Sequence, residues 1–142
     1  MYKNPVQPSC DLSGDNFSPA TLRGKIPELI MKSSYEPNSK YYIFHPDGEK
    51  KLRYGNRQQG GCSLFMPEAI KTYRVEWFFE KILSYKALFI EKGVTDPNLW
   101  IYWYGNQGSM ELGVKEIALA RSIGWSLGMD YIYTEDEEGG IF

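Results

Sequence analysis

The sequence predicts an α+β domain: a mixed, largely antiparallel sheet with one long and one medium helix packed on one face. Three observations carry this. From Pro67 to Lys92, PEAIKTYRVEWFFEKILSYKALFIEK, apolar residues recur at three- and four-residue steps, the period of a helix with a buried stripe. Short runs rich in aromatic and β-branched residues lie on both sides of it, separated by turn signals, as strands are. Two such runs flank a tight-turn sequence as a hairpin, so strands and helices are mixed without a strict βαβ rhythm.

At 142 residues, with 42% hydrophobic and 24% charged residues, the chain reads as one domain, 1–142, carrying an acidic tail at 134–142. A chain of that length buries a core without staples.

In order, Pro5 and Pro8 restrict a first strand to start near Cys10 or to lie at an edge. Ser18-Pro19-Ala20-Thr21 opens a short helix, Leu22 and Ile26 anchor it, and Gly24 and Pro27 stop it. Glu28–Met31 reads as a brief strand and Ser33–Ser39 as a polar turn region. Tyr41–Phe44 and Lys51–Tyr54 flank His45-Pro46-Asp47-Gly48, which has the chemistry of a hairpin turn. The polar segment Gly55–Gly61 then leads into a strand at Cys62–Phe65.

The long helix follows, with Pro67 suited to its first position, Glu68 to its positive end and Gly93 to its left-handed stop. Val75, Phe78, Phe79, Ile82, Leu83, Phe89 and Ile90 form its core face. Ile70, Tyr73, Trp77 and Leu88 make a narrower apolar line on the other side. That line is either covered by loops or a second helix, or left partly open at Tyr73 and Trp77 for a protein partner.

Leu99–Tyr104, LWIYWY, is a central strand with both faces apolar: Leu99, Ile101 and Trp103 on one, Trp100, Tyr102 and Tyr104 on the other. Gly105–Gly108 turns into a helix over Val114–Ile123 stopped by Gly124, and Leu127–Tyr133 is the last strand.

Composition excludes several functions. The net charge is −2 and the sixteen basic residues are dispersed, which disfavours nucleic acid. Cys10 and Cys62 stand far apart in the chain and in no metal-ligand spacing, so they read as free buried thiols of a reducing cytosol. No basic leader precedes an apolar run and no stretch has the length of a membrane span, so the reading is a cytoplasmic protein. His45 is the sole histidine, which removes multi-imidazole metal sites. GNRQQGGC at 55–62 lacks the lysine, spacing and following helix of a phosphate loop. No cofactor or metal is expected. Asp130, within an apolar strand, is either paired in the core or exposed at a strand end.

The segments CDLSGDNFSPATLRGKI and ALARSIGWSLGMDYIY, with the long mid-chain helix between them, resemble a family of small bacterial proteins known as domain-of-unknown-function family four-two-seven-nine. In the second segment a helix ends at Ile123-Gly124 and a strand holds Asp130 and Tyr133. The resemblance spans the start and the second half of the chain. It implies one α+β domain of bacterial or phage origin, no established catalytic residues, and a place among immunity or defence-linked proteins.

The resulting expectation is a non-catalytic protein that masks or inhibits another protein through exposed rings and charge. The candidate contact residues are Tyr73, Trp77, Trp100, Tyr102 and Tyr104, with the acidic Glu135, Asp136, Glu137 and Glu138 steering a basic partner. Two alternatives stand beside it. A small hydrolase or transferase working through carboxylates such as Asp11 and Asp15 predicts a concave pocket holding at least two acids with raised pKa values. A single-strand nucleic-acid binder predicts Lys and Arg around the Trp100, Tyr102, Tyr104 row.

Overall fold

The computed structural model describes residues 5–44, 50–56, 58–105 and 111–133, with side chains for 5–39, 58–105 and 111–133. The strands are β1 (Val6–Gly14), β2 (Ile30–Tyr35), β3 (Lys40–Phe44), β4 (Lys50–Asn56), β5 (Gly60–Phe65), β6 (Asn98–Gly105) and β7 (Ser126–Tyr133), and the helices are α1 (Arg74–Glu91) and α2 (Val114–Ile123). Five strands form one sheet in the order β2-β5-β1-β6-β7, antiparallel except for the β6–β7 pair, and β3–β4 is a separate antiparallel hairpin. This is the predicted α+β architecture.

The core lies between the sheet and α1. Cys10 and Leu12 of β1, Cys62 and Leu64 of β5, and Leu99 and Ile101 of β6 are buried together with Val75, Phe78, Phe79, Ile82 and Phe89 of α1. Each Val, Leu, Ile or Phe among them contributes about 1.5–3 kcal/mol when fully buried. α2 packs beside α1, where Lys115 Nζ lies 3.2 Å from Glu76 Oε2. The second apolar line of α1 is therefore partly covered: Trp77 and Leu88 pack half-buried against the core, as does Ile70, which precedes the helix. Two members of the predicted core face depart from it, since Leu83 is half-buried and Ile90, near the free end of the helix, is 56% exposed.

β1 corrects the sequence reading, because it starts at Val6 and is the central strand. The hydrogen bonds explain how Pro8 is tolerated. The Tyr104 N–H donates to Pro5 O (2.8 Å), so odd residues of β1 aim their backbone groups at β6 and even ones at the opposite flank. β5 pairs with β1 only from Ser9 onward. Pro8, with no N–H to give, thus faces a flank where no strand lies, and β1 is locally an edge there.

Arg74 fills that flank. Its Nε donates to Val6 O (2.8 Å), Nη1 to Pro67 O (3.3 Å) and to Ile70 O, and Nη2 to Gln7 Oε1 (3.1 Å). Glu68 Oε2 lies 3.9 Å away, and the Arg74 side chain is only 4% exposed. Burial lowers the guanidinium's pKa and Glu68 acts against that. The same cage explains why α1 begins at Arg74 and not at Pro67: the carbonyls of Pro67 and Ile70 are drawn inward to the guanidinium, and 67–73 is irregular, with one turn at Glu68 and Ala69. Tyr73 becomes the residue before the helix, at φ 51° and ψ 43°.

The helix ends match their signals. Gly93 is at φ 102°, its N–H donating to Ile90 O and that of Val94 to Phe89 O, both at 3.1 Å, the paired closure of a Schellman motif. Gly124 stops α2 at φ 75°. At the start of α2 the Glu116 carboxylate accepts the Gly113 N–H. The short 3₁₀ turn Pro19–Leu22 follows Ser18 as predicted, but it is capped by the carboxylate of Glu36, which accepts the Ala20 N–H (3.1 Å) and the Ser18 hydroxyl.

β2 lies two residues later than read and enters the predicted turn region; a bulge with Ser33 at φ 56° lets it continue to Tyr35. Gly60 and Gly61 belong to β5 rather than to a connector: a Cβ on Gly60 would stand 1.8 Å from Phe17 O. The predicted turn His45–Gly48, all but Gly105 of the predicted turn Gly105–Gly108, and the acidic tail from 134 lie outside the described residues.

Two predictions follow from these contacts. Arg74→Ala leaves the Val6, Pro67 and Ile70 carbonyls without their donor and should lower unfolding free energy by about 3 kcal/mol or more, read from urea denaturation; Arg74→Lys, lacking the planar fork, should recover little of it. Second, Tyr85 Oη donates to the Glu28 carboxylate, which lies 3.7 Å from Lys81 Nζ. The Tyr85 hydrogen bond holds the Glu28 carboxyl below its ordinary 4.5. Its stabilisation is therefore present above 4.5 and lost as pH falls through the lower folded value. Glu28→Gln should remove that part of the acid limb of a stability–pH curve.

Candidate functional site

Alternation along β6 separates two faces. Leu99 and Ile101 are fully buried toward α1, whereas Trp100, Tyr102 and Tyr104 are half-exposed on the side away from the core. The register places Ser9 and Gln7 of β1 opposite Trp100 and Tyr102, and Gly128 and Asp130 of β7 opposite the same two residues on the other flank. Further across this outer face come Asp11 and Ser13 of β1, Ser63 and Phe65 of β5, and Lys32 of β2.

The rings are ordered by what lies beneath them. Trp100 and Tyr102 stack with centroids 6.0 Å apart and planes 13° from parallel. A Cβ on Gly128 would come within 2.4 Å of Trp100 Cζ3, so the indole lies flat across β7 in space that only glycine leaves open. Burial raises the Tyr102 hydroxyl above its ordinary pKa of 10.0, followed by the nearby Asp11, Tyr104 and Asp130. Asp11 and Asp130 are themselves exposed, and Asp11 Oδ1 accepts from Ser63 Oγ at 2.7 Å. Of the two readings of Asp130, exposure is the one found.

The predicted contact residues do not form one patch. Trp100, Tyr102 and Tyr104 share the outer sheet face, while Tyr73 and Trp77 lie on the helical side. Tyr73 is 79% exposed, and because it precedes α1 it is not on the helix's second apolar line. Trp77 is half-buried, with Lys81 Nζ 5.5 Å from its ring centroid. Glu135, Asp136, Glu137 and Glu138 are outside the described residues.

Tyr73 also borders a cavity of about 300 Å³ lined by Val6, Lys71, Arg74, Trp103, Glu111 and Glu116. This cavity holds two acids, Glu111 and Glu116, which is one part of what the carboxylate alternative requires. Glu116, however, is engaged with the Gly113 N–H, and Arg74 with backbone carbonyls, so two of its four charged groups hold the fold together. Asp15 Oδ1 accepts from Gln59 Nε2 at 3.5 Å. Among the described residues no group of three His, Cys, Asp or Glu side chains is placed to hold a metal ion.

Cys10 and Cys62 are free and buried on neighbouring strands. Burial, reinforced by Asp11, pushes the Cys62 thiol up to about 12 and Cys10 well above 9.0, which leaves neither as a thiolate nucleophile near neutral pH. Among the described residues, no helix is long and apolar enough to cross a membrane.

Arg74 is the site-forming residue that the sequence reading passed over. Its signal was present: it stands one turn before Phe78, a cation on the otherwise apolar stripe of α1.

No family model matches the chain, and no curated protein or solved structure matches it.

Gly128→Ala tests the seating of the row. The added methyl should lift the Trp100 indole from β7, disturb its stacking on Tyr102 and cost about 1–3 kcal/mol as an overpacked contact, seen as a lower melting temperature and altered near-ultraviolet circular dichroism.

Proposed function

We propose that this is a non-catalytic, cytosolic binding protein that masks or inhibits another protein, with the outer face of the five-stranded sheet as its contact surface. The observation that carries the reading is the stacked, half-exposed Trp100–Tyr102 pair on the face opposite α1. Large rigid rings supply contact area at small cost in side-chain entropy, which is why Trp and Tyr dominate interface hot spots. The acidic residues Glu135 to Glu138 support a basic partner. The resemblance of the chain's start and second half to the family of unknown function named above supports an immunity or defence-linked role in a bacterium or phage. Asp11 and Asp130 beside the rings weigh against a nucleic-acid strand, whose phosphates they would repel.

Tyr102→Ala tests this. As a contact residue it should cost about 1–2 kcal/mol of stability, the share of a half-buried ring and one stacked pair, while abolishing capture of the partner from the native host. A stability loss of about 3–5 kcal/mol would mark a core aromatic instead. Unchanged capture by the folded variant would move the contact surface elsewhere.

A further inference from the structure

The protein covers some of its own aromatic faces with cations. Lys32 Nζ lies 5.5 Å from the Phe65 ring centroid on the outer sheet face, and Lys81 stands at the same distance from Trp77 on α1. Among the described residues no cation covers Trp100 or Tyr102, although these two rings stack on one another on that same face. Acids frame the pair on both flanks. Asp130 stands directly opposite Tyr102 on β7, and Asp11 is diagonal to Trp100 on β1, since Ser9 faces Trp100 and Asp11 faces Asn98. Among the described residues neither carboxylate is in an ion pair.

Rings nearly parallel to one another and bordered by carboxylates have a defined complement. A cation over an aromatic face is attracted by the ring quadrupole. A planar guanidinium can lie parallel to such rings while its edge N–H groups reach an oxygen acceptor; a tetrahedral ammonium does one or the other less well. We infer that the Trp100–Tyr102 pair, framed by Asp11 and Asp130, receives an arginine side chain from a basic segment of the protein partner. The inference rests on the proposed function and makes it chemically specific. The built-in Lys32–Phe65 contact is a neighbouring example of the same attraction on the same face.

The experiment uses the full chain labelled with nitrogen-15 and short capped peptides in which glycine alternates with arginine, lysine, serine or glutamate, together with an oligothymidine. The arginine peptide should shift the Trp100 indole N–H and the amides of 100–104 and 128–132. It should bind more tightly than the lysine peptide and weaken as salt rises from ~20 to ~300 mM. Asp130→Asn should reduce its affinity about five- to tenfold, the scale of one charge-assisted contact to a stacked guanidinium. Absence of shifts at ~10 mM arginine peptide, a range that detects millimolar binding, would overturn the inference. So would equal binding of the serine or glutamate peptide, preferential binding of oligothymidine, or an unchanged affinity in Asp130→Asn. If the arginine peptide fails while Tyr102→Ala still abolishes partner capture, the surface stands and its arginine specificity falls; if both fail, both fall.

Discussion

The buried guanidinium of Arg74 joins the two elements on which the rest of the molecule is arranged. β1 is paired on both sides for most of its length, but its first residues outrun β5, leaving the Val6 carbonyl without a strand partner. α1 has to start within reach of that carbonyl for its apolar stripe to lie on Cys10, Leu12, Leu99 and Ile101. One side chain meets both needs, with four acceptors around it. Desolvating a cation is costly, so such a group is tolerated only when its donors are satisfied. Here the acceptors are mostly neutral carbonyls, which makes the arrangement a hydrogen-bonding device more than an ion pair.

With α1 fixed on one side, the other side of the sheet acquires its character by default. The β6–α2–β7 crossover returns the chain parallel to β6 and sets α2 beside α1. Residues of even number on β6 are therefore left on the outer face, and their size is accommodated sideways: Trp100 spreads over Gly128 and against Tyr102. An exposed ring supported in this way keeps its orientation, and an ordered ring loses less entropy when something docks on it.

Much of this was legible in the sequence where the signal is local. α2 occupies the span read from its periodicity and its glycine stop, and β6 and β7 lie within a residue of their predicted bounds. The errors share a cause: each depended on a residue distant in sequence. Pro8 argues against a central strand only if its nitrogen faces a partner, and which way it faces is set by Tyr104 and by where β5 ends. Pro67 and Glu68 are sound helix-start signals, overridden by an arginine that binds a carbonyl sixty-eight residues away. For the candidate site, alternation sorted the β6 aromatics correctly into two sets, but only the landing place of α1 decides that Leu99 and Ile101 are the side on which full burial occurs. Tyr73 was misplaced for the same reason, once the helix began after it.

The state of the two cysteines has a practical consequence for work on this surface. Both sulfurs are walled off by the core and held as neutral thiols, so maleimides and disulfide-forming reagents, which need an accessible thiolate, will pass them by in the folded protein. The natural chain is thus already silent toward thiol labelling. A single cysteine introduced on the open side of the sheet would be the one reactive handle, ready for a fluorophore or a crosslinker aimed at whatever comes to rest there.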